Sequence, residues 1–184
     1  TLSSTVYLDR FISVLKKEPT KRSSLRRRMK GYSKDLYILA FDHRGTLTKG
    51  LLGVEGRPPN KDESEKVSEM KDIIFEGFLS AKEQGIEGGD PAILVDEQFG
   101  LHIQEKAKEQ GVKFAAPVEK SGQKVFDFEY GENFGEKINE VGADFIKVLV
   151  RWNPDDEKDI RETQGKRIKK LSDWVEDSDK KFLL

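Results

Sequence analysis

Four apolar runs in this chain end in charge: Tyr37-Ile38-Leu39-Ala40-Phe41 meets Asp42-His43-Arg44, Ala92-Ile93-Leu94-Val95 meets Asp96-Glu97, Phe114-Ala115-Ala116-Pro117-Val118 meets Glu119-Lys120, and residues 145–150 meet Arg151. Strand ends need no carboxylate or ammonium group for stability, and a charge buried there is costly unless it is paired. Carboxylates collected at one rim can move protons, hold a divalent metal or pair with lysines. Here the acids Asp42, Asp96 and Glu119 are roughly matched by the cations Arg44, Lys120, Lys147 and Arg151. That balance favours a polar, anion-binding pocket over a bare metal cage, and Arg with Lys is suited to gripping a phosphate.

Lys147 stands between apolar neighbours in the middle of its run. A lysine in that position either reaches a carboxylate or has a lowered pKa, and a lowered pKa is what an amine needs to attack a carbonyl and form a Schiff base. Both readings are open from sequence. His43 and His102 are the only histidines. His43, beside Asp42, is either a proton shuttle or a hydrogen-bonding anchor of the turn, and His102 reads as a surface residue of a helical turn. No Ser-His-Asp or H-E-x-x-H arrangement is present.

The elements that must carry these groups alternate. A first strand near Leu36 leads into the Gly- and Pro-containing stretch 45–60, read as a long loop of the kind that serves as a lid or binding loop. Residues 61–84 read as a helix with Val67, Met70, Ile74, Phe78 and Ala81 on one face. Strands follow at 92–95, 114–118 and 145–150, with helices around 101–107, 132–141 and 156–176, and residues 181–184 begin a fifth strand. Strand and helix in strict alternation predict a parallel sheet, either doubly wound or a (β/α)8 barrel. The turn after the first strand, Asp42-His43-Arg44-Gly45, carries no G-x-G-x-x-G and no P-loop. Chemistry contributed by several strand ends fits a barrel, whose sites lie at the carboxyl ends of the strands. The expected fold is therefore a TIM barrel of which this chain supplies about the first four to five βα units.

Composition narrows the class. The chain has 184 residues, 35% hydrophobic and 36% charged, with eleven Phe as core material, so it reads as a globular α/β protein. It lacks cysteine, which removes thiolate chemistry, disulfides and Cys-based zinc sites. No apolar run approaches a membrane span and the first residues do not resemble a signal peptide, so a cytoplasmic protein without membrane contact is expected. The net charge of −1 divides into +7 over residues 1–35 (ten Lys/Arg, three acids) and −8 over the rest. Residues 1–35 are read as a separate basic segment, with an amphipathic helix over 5–17 ended by Pro19. No aromatic residues interleave Arg26-Arg27-Arg28, which argues against a nucleic-acid platform.

Four segments carry a resemblance: Tyr37 to Gly45, Ile93 to Gly100, Glu119 to Gln123 with Phe126 to Gly131, and Lys147 to Pro154. In order, across 36–184, they resemble the domain often fused to 5-dehydro-2-deoxygluconokinase in bacterial inositol catabolism. That domain is associated with 2-deoxy-5-keto-gluconate 6-phosphate aldolase and is similar to tagatose 1,6-bisphosphate aldolase, a class I, metal-independent (β/α)8 enzyme. The resemblance implies a lyase that cleaves a phosphorylated keto-sugar by retro-aldol reaction, with no metal and no cofactor.

Carried over by position, Asp42 matches a first-strand aspartate near the reacting carbon, Glu119 with Lys120 a third-strand acid–base pair, and Lys147 a fourth-strand active-site lysine. His43, Arg44, Asp96, Glu97, Lys120, Gln123, Arg151 and Asn153 are the expected substrate-binding residues around them. In these aldolases the Schiff-base lysine lies on the sixth strand, after a glutamate on the fifth. This chain, ending as the fifth strand begins, is expected to turn over little alone and to pair with a missing C-terminal half or with another copy. A non-catalytic sugar-phosphate-binding barrel and a metal-dependent lyase are the alternatives.

Overall fold

The computed structural model describes residues 31–184. Strands β1 (Asp35–Ala40), β2 (Gly89–Leu94), β3 (Lys113–Pro117), β4 (Phe145–Lys147) and β5 (Lys181–Leu183) alternate with helices α1 (Gly45–Leu52), α2 (Lys61–Glu83), α3 (Glu97–Glu109), α4 (Phe134–Val141) and α5 (Lys158–Asp177). All pairings are parallel, and the strand order is sequential, β1-β2-β3-β4-β5. A doubly wound sheet reverses its order at a switch point. This one does not, and it curls into half a barrel.

Alternation along each strand sends one set of side chains to the helices and the other to the concave face. Ile93, Phe114, Ile146 and Phe182 join the helix-side core with Phe75, Phe78, Ile103, Ile168 and Leu171. Leu36, Ile38, Leu94, Ala115, Phe145 and Leu183 form a smaller cluster on the concave face. Continuing that second set gives Asp42, Asp96 and Glu119 past the strand ends and Lys147 at the end of β4, and Asp42, Glu119 and Lys147 reach one rim.

Local sequence explains the element boundaries. Asn60 and Glu63 form a capping box on α2, with Glu63 N–H donating to Asn60 Oδ1 (2.9 Å) and Asn60 N–H to Glu63 Oε2 (2.8 Å). Arg57 grips the same carboxylate and holds it down to about 2. Phe126 and Phe128, from the connection between β3 and α4, pack in series with Phe134 and Trp174, edge-on at 4.9 Å, stacked at 4.2 Å and edge-on at 6.0 Å between centroids.

Four expectations need correction. The stretch 45–60 is not all loop, since α1 occupies half of it. The two glycines and two threonines of Gly45–Leu52 hide that helix from propensity, and Gly53, at φ 65°, ends it. The inward face of α2 is Val67, Lys71, Phe75 and Phe78, with Met70 and Ile74 only half-buried and Ala81 exposed. The third helix begins at Glu97, four residues before the expected turn. The fourth strand ends at Lys147, beyond which a single further ladder bond joins Val148 N–H to the Leu183 carbonyl (3.0 Å). The helix read over 5–17 and the Arg26-Arg27-Arg28 cluster lie outside the described residues. Among the described residues no helix is long and apolar enough to cross a membrane.

Candidate functional site

A cleft of about 450 Å3 opens at the carboxyl ends of the strands, lined by Asp42, His43, Arg44, Glu119, Lys120, Gln123, Lys147 and Arg151, with Gly45 and Thr46 of α1 and the Ser121-Gly122 turn. Its centre is Lys147, whose ammonium donates to Asp42 Oδ2 at 2.9 Å and Glu119 Oε1 at 2.7 Å. The three side chains are 8–17% exposed. Burial pulls the Lys147 pKa down, but the hydrogen bonds and charges of Asp42 and Glu119 outweigh it and hold the group above its ordinary value. Of the two sequence readings for Lys147, the structure selects the paired ammonium over the free amine.

Glu119 is the hub. A lone antiparallel bridge to Phe128 fixes its backbone, flanked by Lys120 N–H to the Asp127 carbonyl (2.9 Å) and Glu129 N–H to the Val118 carbonyl (3.0 Å). Arg44 braces this return, donating to the Glu119 carbonyl (3.1 Å) and to Glu129 Oε2 (3.3 Å), with its guanidinium 3.6 Å from Glu119 Oε1. The guanidinium is thus engaged with protein acceptors. Glu119 Oε2 is buried and has no hydrogen-bond partner among the described residues. Such an oxygen is costly to leave unmade and is suited to a donor brought by a ligand.

Lys120 is exposed at the mouth, and Arg151 donates to the Gln123 carbonyl (2.8 Å), tying the Ser121-Gly122-Gln123 turn across from α1. His43 is exposed on the lining.

Three expected binding residues lie elsewhere. Asp96 is fully buried below the rim; it accepts from Phe99 N–H (2.9 Å) as the N-cap of α3 and pairs with Lys71. Glu97 faces a neighbouring depression, where it accepts from the Tyr130 hydroxyl and sits 3.0 Å from the Lys137 ammonium. Burial, and then that carboxylate, raise the Tyr130 pKa. Asn153 is exposed outside the cleft, where its side chain accepts from Asp155 N–H (3.0 Å). His102, read as a surface group, is half-buried and bonded to Asp72 (3.0 Å) between α2 and α3.

Sequence reading missed Lys71. Its signal was present, because Val67, Lys71, Phe75 and Phe78 repeat at helical spacing and put a lysine on an apolar stripe. Burial lowers the Lys71 pKa while Asp96 opposes the shift. Among the described residues no group of three or more His, Asp or Glu side chains is arranged to hold a metal.

A family model described as "Uncharacterized protein conserved in bacteria (DUF2090)" matches residues 13–184, so the chain belongs to that family. No curated protein matches the chain.

Proposed function

We propose that this chain, as a member of the DUF2090 family, forms the catalytic rim of an aldolase-type (β/α)8 barrel that cleaves a phosphorylated keto-sugar by a class I retro-aldol reaction. One observation carries the reading: an ammonium held between two carboxylates on the floor of a polar cleft at the strand ends, with further cations around it. The sequential parallel sheet, with its apolar concave face, supports the barrel. Its completion by further strands, from the same polypeptide or a partner, is part of the proposal.

Each residue then has a defined task. The Asp42 carboxylate accepts the proton of the substrate hydroxyl on the carbon whose bond will break. As that C–H-bearing carbinol becomes an aldehyde, the electron pair of the C–C bond moves toward the activated carbonyl carbon of the other fragment. Lys147, kept as an ammonium, holds the substrate oxygen and offsets the charge on Asp42 and Glu119. The unpartnered Glu119 oxygen takes a second hydroxyl. Lys120 at the mouth attracts the phosphate. The lysine that forms the iminium is a different one, which the resemblance assigns to a sixth strand.

The raised Lys147 pKa also favours a second reading, in which a sugar phosphate is bound without reaction. Aldehyde release from phosphorylated ketoses, assayed with the remaining strands of the barrel present, separates the possibilities. Cleavage that survives chelator and is lost in Asp42→Asn is expected. Cleavage abolished by chelator overturns the metal-independent mechanism, and tight binding without cleavage selects the second reading.

A further inference from the structure

Lys71 takes no part in the chemistry above, yet its ammonium lies one peptide away from it. The side chain, on α2, has no exposed surface. It bonds to Asp96 Oδ1 and donates to the Phe41 carbonyl at 2.8 Å. The second Asp96 oxygen caps α3 through Phe99 N–H, and the Phe99 ring lies 5.9 Å from the ammonium. Ser68, one turn earlier on α2, donates to the Phe99 carbonyl at 3.0 Å. Gly100 completes the lock, because a side chain there would meet Val95 Cγ2 at 2.3 Å.

A buried ion pair is a poor device for stability, since apolar groups of the same volume do as well, but it can fix geometry. What it fixes here is specific. The β1–β2 pairing ends at Ala40, and Phe41 retains one ladder bond through its N–H, to the Leu94 carbonyl at 2.9 Å. The Phe41 carbonyl, which belongs to the peptide leading into Asp42, is taken up by Lys71.

We propose that Lys71, held by Asp96, is a positioning residue of the cleft: it fixes the Phe41–Asp42 peptide and thereby sets the Asp42 carboxylate on the Lys147 ammonium. The assignment rests on that cleft being the working site but not on the reaction performed there.

The test reads the Lys147 ammonium rather than turnover. Competitive acetylation with acetic anhydride, followed by peptide mapping across a pH series, reports the neutral fraction of Lys147. The double variant Lys71→Met/Asp96→Asn removes both buried charges while Asn keeps the cap. It is expected to raise the Lys147 acetylation rate at pH 8 by about tenfold, the change given by one unit of lowered pKa. The labelling profile should shift toward lower pH without changing shape.

Phe75→Leu, a destabilising change on the same helix, is expected to leave that profile in place. If the double variant does not fold, Asp96→Asn alone carries the same expectation. Asp42→Asn is the reference. A shift in the reference with none in the folded Lys71 or Asp96 variant overturns the positioning role alone. No shift in the reference removes the Asp42–Lys147 pair and with it the functional reading.

Discussion

Replacing Lys147 with Met removes the cation from between two carboxylates and leaves packing nearly intact. Asp42 would lose its ammonium partner and Glu119, left with Arg44 at 3.6 Å, would face it, the two side chains being 17% and 8% exposed. Breaking a fully buried pair costs about 3–5 kcal/mol, and the residual exposure of these groups brings the expectation to about 2–3 kcal/mol. For a chain of this length that corresponds to a fall in Tm of about 5–10 °C. Urea unfolding followed by circular dichroism measures it, with a lowered midpoint at unchanged slope.

The pH dependence has a definite sign. The folded pKa of Lys147 lies above the ordinary 10.5. Its contribution is therefore fully present below that ordinary value and is lost as pH rises through the higher folded one. The gap between wild type and Lys147→Met should stay constant through the neutral range and close only in strong alkali. A gap below about 0.5 kcal/mol at neutral pH, within the scatter of surface substitutions, would refute the pairing argument. So would a gap that widens as pH rises.

Other consequences are independent of that cluster. Gly100→Ala should destabilise by about 1–3 kcal/mol through overpacking on Val95, and adding Val95→Ala should restore part of the loss in urea unfolding. A hydrogen bond to Asp90 pushes the Tyr32 phenol up from 10.0 to about 12. Ultraviolet titration should therefore show Tyr32 ionising late alongside Tyr130, and Asp90→Asn should return only Tyr32 to the ordinary range. Asn60→Ala removes the capping box of α2 and should cost about 1 kcal/mol by thermal denaturation.

Elements whose hydrophobic period was strong were legible: the parallel order, the five strand positions and helices α2 and α5 follow from apolar runs alternating with amphipathic ones. The cleft was legible for the same reason, because strand alternation carries Asp42, Glu119 and Lys147 to one face. Two things were not legible. Helix α1 is built from residues that individually favour turns, and tertiary contacts override that preference. Asp96 looked equivalent to Asp42 and Glu119, since all three follow apolar runs. Only the packing of α2 against α3 shows that Asp96 is sealed beneath the rim with Lys71 and serves as a helix cap. Lys71 on the apolar stripe of α2 was readable in principle, but a single charged position on an amphipathic helix is ordinarily assigned to the solvent side.

The central claim is that the carboxyl-end cleft takes a ketose phosphate against Asp42, Glu119 and Lys147. Nuclear magnetic resonance titration with a ketose phosphate tests it most directly. The account predicts that amide resonances of Gly45, Thr46, Ser121 and Gly122 and the Lys147 side-chain resonance move together, saturably, and that Lys147→Met abolishes the shifts. Shifts confined to the depression around Leu101 and Tyr130, or none at millimolar ligand, would contradict it.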